Sequence, residues 1–314
     1  MKLRTSLGGA TFALVVAAAV PQASWAAAEN FPTPQAAADA VVAALEAKDR
    51  DKLVAIFGPE SEDVIFTGED AKDRANWSEF LRDYKAAHEI DTDDAGTTAT
   101  LSIGPDLWPF PASIVKDGAG WHFDAQSARD EVLARRIGQN ELDVIDLLHG
   151  YVKAQAAYRA EDPEGDGIRS FADAIISAAG KRDGLYWPSE PNAPTSPIGD
   201  FMARASADGY DFQGTDQQPD PYLGYYYRVL TKQGKGAPGG AMDYMVGGHM
   251  VGGHALIAFP ADYGDTGVMT FMVGENDVVY EKDLGDDTLS VAAAIDSFDP
   301  GDGWQPVAPS DDAK

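Results

Sequence analysis

The sequence predicts an α+β protein, with helices leading each half and strands of antiparallel sheet following them. Three observations carry that expectation. Apolar residues recur at helical spacing in separate segments of both halves. An alternating apolar–polar run follows the first helical group, and Gly- and aromatic-rich strand candidates follow the last. With 314 residues, 44% of them hydrophobic, the chain can bury a sizeable core as one large or two ordinary domains.

Residues 1–26 read as a secretory leader. Lys2 and Arg4 form a basic start, Ala10 to Val20 is a short apolar run, Pro21 breaks it, and Ser24 and Ala26 frame cleavage at Ala26/Ala27. The run is too short to span a bilayer comfortably, so export to the periplasm or the medium is expected, without membrane insertion. The chain has no cysteine, which excludes a lipobox anchor, a disulfide framework and a thiol nucleophile. Its formal charge of −27 becomes −29 once Lys2 and Arg4 leave with the leader. Nucleic acid and anionic lipid would be repelled by that field, whereas divalent cations and basic partners would be attracted.

Thr33 can cap a helix that has Pro34 at its first position and Ala38, Val41, Val42 and Leu45 on one face. A second helix is expected from Asp51 to Phe57, ended by Gly58-Pro59. Trp77, Phe80, Leu81 and Tyr84 mark a third. Ala99, Leu101 and Ile103 alternate with Thr98, Thr100 and Ser102 as a half-buried strand. Ile114-Val115 and Trp121 to Phe123 flank a hairpin turn at Lys116-Asp117-Gly118. A longer helical zone follows, with a break expected at Gly138 and a new start capped by Asn140. Its stripe is Leu142, Ile145, Leu148 and Val152, widened by Val144, Tyr151 and Tyr158. A further helix is expected at Phe171–Ala179. Then come a loop with Pro188, Pro191, Pro194 and Pro197 and strands at Tyr222–Thr231, His254–Phe259, Gly267–Val273 and Val278–Tyr280.

Between the two helical patterns lies the sharpest local motif. Asp162, Glu164 and Asp166, with Gly167 after them, approximate the opening of a calcium-binding EF-hand loop. Ile168 would offer its carbonyl at position seven and Asp173 falls at position twelve. The plainer reading is a solvated acidic turn, and the competing one is a loop that takes calcium as its ion. Arg169 stands where an aliphatic residue is usual, and Asp173 is shorter than the usual Glu, so bidentate closure is harder. The histidines, His88, His122, His149, His249 and His254, lack the spacing of a metal site. GKGAPGGAMDYMVGGHMVGGH has neither a Walker ending nor the strand–glycine–helix context of a dinucleotide fold. No Gly-x-Ser-x-Gly elbow is present, and Asp286-Asp287 would diverge on a regular element. Lys181 to Gly184, Tyr186-Trp187-Pro188 and Tyr225-Tyr226-Tyr227-Arg228 form either a recognition surface or the aromatics of a Gly-rich sheet.

Three resemblances add to this reading. The blocks GKRDGLYWP, SPIG, YLGYYYRVLTKQG, GAPGGAMDY, ADYGDTGVMTF and VVYEKDLG resemble a bacterial secreted family catalogued as domain of unknown function 2950, which implies kinship without an activity. PQAAADAVVAALEAKDRDKLVAIFG, followed by the meander, resembles the start of NTF2-like domains. NELDVIDLLHGYVKAQAAY, with Glu141, Ala154-Gln155 and Tyr158 in order, is similar to the head-proximal helix of type IV pilins and pseudopilins. The residues before it, including Arg129, Asp130, Glu131, Arg135 and Arg136, are too charged for a fibre core, so a soluble head is implied. The expected organisation is a leader at 1–26, an NTF2-like domain at 27–125, a pilin-head-like domain at 126–305 and a disordered acidic tail at 306–314. The expected function is an exported interaction protein whose partner is another envelope or extracellular protein or a glycan. The alternative is a hydrolase or isomerase with a pocket in the NTF2-like domain.

Overall fold

A computed structural model describes residues 28–188, 195–198 and 221–308. The expected leader, Pro191, Pro194 and the tail from 309 lie outside the described residues. The chain is α+β and divides into two compact units, one up to Asp130 and one from Glu131.

In the first unit, α1 (Pro34–Ala47) starts where Thr33 Oγ1 accepts the Ala36 N–H, and α2 (Arg50–Phe57) starts on the Asp49 side chain. A 3₁₀ turn at Pro59–Ser61 and the short α3 (Glu62–Ile65) lead to α4 (Asp70–Ala86). The strands are β1 (His88–Thr92), β2 (Thr98–Ile103), β3 (Trp108–Pro109), β4 (Ile114–Asp117) and β5 (Gly120–Phe123). They pair antiparallel in the order β1-β2-β4-β5, with β3 also on β2. Val41, Leu45, Leu53, Ile56 and Phe57 of the helices pack on Ala99, Ile114, Trp121 and Phe123 of the sheet. Each large side chain buried this way contributes about 1.5–3 kcal/mol. The alternation read at 98–103 is kept, since Ala99 and Leu101 are buried.

A single helix, α5 (Ala125–Glu161), carries the chain onward for 37 residues. The expected break at Gly138 does not occur, and Asn140 is not a cap. A helical glycine costs only about 1 kcal/mol against alanine, and the neighbouring turn is held from outside. Asn140 Nδ2 donates to the Thr266 carbonyl, and Glu141 Oε1 accepts the N–H groups of Val268 and Met269, both at 2.9 Å. The buried stripe also differs from the expected one. Val144, Leu148, Tyr151, Ala154 and Tyr158 are inside, whereas Leu142 is 59% exposed.

After α5 come β6 (Ala174–Ile176) and β7 (Gly184–Tyr186), a short parallel pair. The helix expected at Phe171–Ala179 does not form, and Ala174–Ile176 within it is a strand. Phe171 bridges to Met250, and Ala172 is bonded through its backbone to Gln155, so neither is available for helical hydrogen bonds. The remaining strands are β8 (Tyr225–Leu230), β9 (Lys232–Gln233), β10 (Met242–Asp243), β11 (Met245–Val246), β12 (His249–Met250), β13 (Ala255–Pro260), β14 (Met269–Gly274), β15 (Val279–Asp283) and β16 (Gln305–Pro306). The main sheet is antiparallel in the order β16-β15-β14-β13-β8. Its Tyr225, Leu256, Ala258, Phe271 and Val273 receive the α5 stripe. On the other face, Ile257 and Met272 meet Ala292 of α6 (Thr288–Ala294) and Phe298. Residues 305–307 belong to this sheet, because β16 pairs with β15 and the Val307 N–H donates to the Val279 carbonyl.

Candidate functional site

The acidic loop begins where α5 ends. Asp162 takes a left-handed backbone (φ 50°), and its carboxylate accepts the N–H groups of Gly165 at 3.2 Å and Gly167 at 3.0 Å. Asp166 Oδ1 accepts the Ile168 N–H at 2.8 Å, and its Oδ2 lies 3.6 Å from His249 Nδ1. Glu164 points the other way. Its Oε1 is 3.1 Å from the Tyr158 hydroxyl and accepts from Ser170 Oγ at 3.3 Å. Asp173 sits on that side too, where burial raises its carboxyl above the usual carboxylate range and the negative charges of Asp183 and Glu164 add to the effect. The four carboxylates are thus brought to one loop but split between two faces. Among the described residues, no three His, Asp or Glu side chains converge as a metal-binding group.

The pilin-like pattern named Gln155 and Tyr158 without a role, and in the fold they belong to a buried polar strut. Gln155 Oε1 accepts the Ala172 N–H at 2.9 Å, and its Nε2 donates to the Ala172 carbonyl at 2.8 Å and to the Tyr151 hydroxyl at 3.1 Å. That hydroxyl donates to the Ala255 carbonyl at 3.1 Å. The Tyr158 hydroxyl is 2.6 Å from the Arg182 carbonyl, and burial together with Glu164 pushes its pKa far up, so it remains a donor. His254 lies edge-on to Tyr151 and Phe171, is 1% exposed, and has no partner at Nδ1. Burial drives its pKa from 6.5 down to about 4, with Arg159 adding to the effect, so the ring is neutral. A polar residue on the inner face of a mostly apolar helical stripe, as Gln155 is, was the signal for its structural role.

Beside the loop stands the hairpin of β11 and β12, fixed by the bridge from Phe171 to Met250. Gly247 and Gly248, at φ 62° and 91°, make its two-residue turn, a conformation other residues rarely adopt at both positions. Val246 is 60% exposed there, and Met242 and Ile168 are also exposed. Below the turn, Tyr244 is buried and donates to Gln233 Oε1 at 2.8 Å, so the exposed residues ride on a rigid base.

The aromatic clusters serve the core. Tyr225 is buried and donates to the Met269 carbonyl, Tyr227 donates to the Tyr222 carbonyl, and the Arg228 guanidinium donates to the carbonyls of Ala292 and Ile295 at the end of α6. Trp187 packs on Tyr158, with Arg182 over its ring. Asp286 and Asp287 line a shallow cleft of about 410 Å³ with Asp262, Tyr263 and Leu289. In the first unit, a cleft of about 320 Å³ gathers Glu60, Asp117, His122, Asp124 and Arg129 at the start of α5. Sequence spacing does not reveal this cleft, because its residues come from separated segments.

Fold and site together define an acidic α+β protein of two units, in which a long helix braces a sheet, a carboxylate loop and an exposed apolar hairpin. The chain belongs to the family described as Protein of unknown function (DUF2950), which matches residues 28–307. No curated protein and no solved structure matches it. Among the described residues, no helix is long and apolar enough to cross a membrane.

Proposed function

We propose that this is an exported, non-catalytic interaction protein of the periplasm or the extracellular space, whose partner is another envelope or extracellular protein or a glycan. The observation that carries the reading is that Val246 on the β11–β12 hairpin, Ile168 on the acidic loop and Met242 on β10 are each exposed large apolar side chains. Exposed large apolar side chains on regular backbone are candidates for a docking surface. Capture from envelope extract, with the mature protein as bait, tests it. A species retained by the unaltered protein and lost with Val246→Asp, at unchanged melting temperature, supports the reading. Equal retention by both removes the hairpin from it.

The same reading gives the loop a weak calcium site on Asp162, Glu164, Asp166 and Asp173, with the Ile168 carbonyl as a further ligand. Its support is the Asp162 carboxylate turned into the loop over two glycine N–H groups. Ion entry has to draw Glu164 away from Tyr158 and Ser170, which keeps affinity low. The NTF2-like unit at 27–125 and the pilin-head-like unit from 126 remain part of the proposal, whereas the tail expected from 306 is corrected by the pairing of Gln305–Pro306 with β15. They are supported by helices over a meander in the first unit and a helix along a sheet in the second. A second reading, a hydrolase or isomerase, is favoured by one observation, the first unit's cleft with His122 among three carboxylates. Loss of a screened activity in His122→Ala would establish it.

A further inference from the structure

One buried ring in the second unit can take a charge only by leaving its place. His254 immediately precedes β13, is 1% exposed, and has no hydrogen-bond partner at Nδ1. Tyr151 of α5 lies edge-on to it with ring centroids 5.3 Å apart, and Phe171 does so at 4.6 Å. These two neighbours are held differently. The Tyr151 hydroxyl is tied to the Ala255 carbonyl and to Gln155, so that wall is fixed to helix and sheet together. Phe171 follows the acidic loop, and its N–H donates to the Met250 carbonyl of β12 at 2.7 Å. Gln155 clamps Ala172, so Phe171 is the residue that can swing. The Arg159 guanidinium stands 4.6 Å from the Phe171 ring centroid, and its charge acts on His254. The other titratable groups around the ring are Tyr151 and, against Gly253, Tyr244, and burial keeps both phenols protonated. Glu275 acts on Tyr244, and the carboxylates of Glu164, Asp173 and Asp183 act on Tyr158. A charged imidazole here would leave a donor unsatisfied beside a guanidinium, and only water can relieve it.

We propose that His254 is an acid latch: on taking up a proton its ring displaces Phe171 from Met250 and parts the acidic loop from the β11–β12 hairpin, while the core between α5 and the main sheet stays folded. The inference does not depend on a partner. Burial, with Arg159 adding to it, lowers the pKa of the closed form from 6.5 to about 4. The parted form, with the ring in water, regains the ordinary value. Parting is therefore favoured progressively as the pH falls below 6.5, and it gains nothing further below about 4.

Residue-resolved amide hydrogen exchange on the intact protein, followed across the acid range and corrected for the intrinsic rate, tests it. Protection of the Phe171 amide is expected to fall about tenfold for each pH unit between the two pKa values. The amide of Ala172 and the core amides of β13 and β14 are expected to keep theirs. In His254→Phe the Phe171 response should vanish. In His249→Gln, which removes the histidine beside Asp166 on the same joint, it should persist. Equal losses at Phe171, Ala172 and the sheet overturn the latch, because the unit then opens as a whole. Constant protection at Phe171 in the unaltered protein overturns it too. A response kept in His254→Phe, or lost in His249→Gln, overturns His254 as the trigger.

Discussion

The Gln155 carboxamide and the Ala172 backbone hydrogen-bond to each other in both directions, at 2.9 and 2.8 Å, with both residues fully buried. The side chain imitates a neighbouring strand and holds the segment after the acidic loop extended against α5. Leaving a buried donor or acceptor unsatisfied costs about 1–3 kcal/mol. Gln155→Leu orphans both groups of Ala172 and is expected to lower stability by roughly 2–6 kcal/mol on that basis. Urea unfolding measures it, and a loss below the lower figure would mean that water replaces the carboxamide.

His254 makes the second unit sensitive to acid. Its folded pKa of about 4 lies below the ordinary 6.5, because burial disfavours the charged ring. Between those values the unfolded chain takes up a proton that the folded chain refuses. Stability present above pH 6.5 is therefore lost as the pH falls toward 4, by roughly 3 kcal/mol. Asp173, whose carboxyl is raised, acts in the opposite sense at the acid end. Comparison with His254→Phe separates the two effects. The variant, set among Tyr151 and Phe171, should show a flatter stability profile from pH 6.5 to 4, and an unchanged slope would remove His254 as its source.

Gly267 leaves room for Tyr225. A Cβ there would run into the Tyr225 ring and hydroxyl, which donates to the Met269 carbonyl at 2.9 Å. Gly267→Ala should cost about 1–3 kcal/mol as an overpacked core substitution. The urea midpoint should fall at an unchanged m-value, whereas an unchanged midpoint would show that the loop at 262–267 yields freely.

Local chemistry was legible wherever it acted over a few residues. Thr33-Pro34 announced α1 and the alternation at 98–103 announced β2, while the hairpin expected at Lys116-Asp117-Gly118 turns at Gly118-Ala119, with Lys116 and Asp117 paired in β4. Periodicity misplaced the α5 stripe because Leu142 and Val144 are two residues apart and only packing on the sheet decides which is buried. Gly138 reads as a break only while the anchors from Asn140 and Glu141 to residues 266–269 are unknown. Phe171–Ala179 has helical spacing, but Gln155, Met250 and β7 supply the partners of a strand instead. The acidic loop was visible as four carboxylates. Their division between two faces depends on Tyr158, Ser170 and His249, which sequence spacing does not place.

Calcium should act on the loop weakly. Asp173 is short and Glu164 has to leave Tyr158, so the expected dissociation constant is in the extracellular range of roughly 10⁻⁴–10⁻³ M. Millimolar calcium should raise the melting temperature relative to chelator by mass action, and Asp166→Ala should abolish the rise. Equal melting temperatures in the unaltered protein would reduce the loop to an acidic turn.

The interaction reading is tested most directly by in-cell photo-crosslinking from single positions of the exported protein. A photoreactive residue is placed at Val246, at Ile168 and, as an equally open control on α6, at Leu289. The account predicts a discrete adduct of the same mass from 246 and 168 and none from 289. Adducts of equal yield from all three positions, or none from 246 and 168, would contradict it.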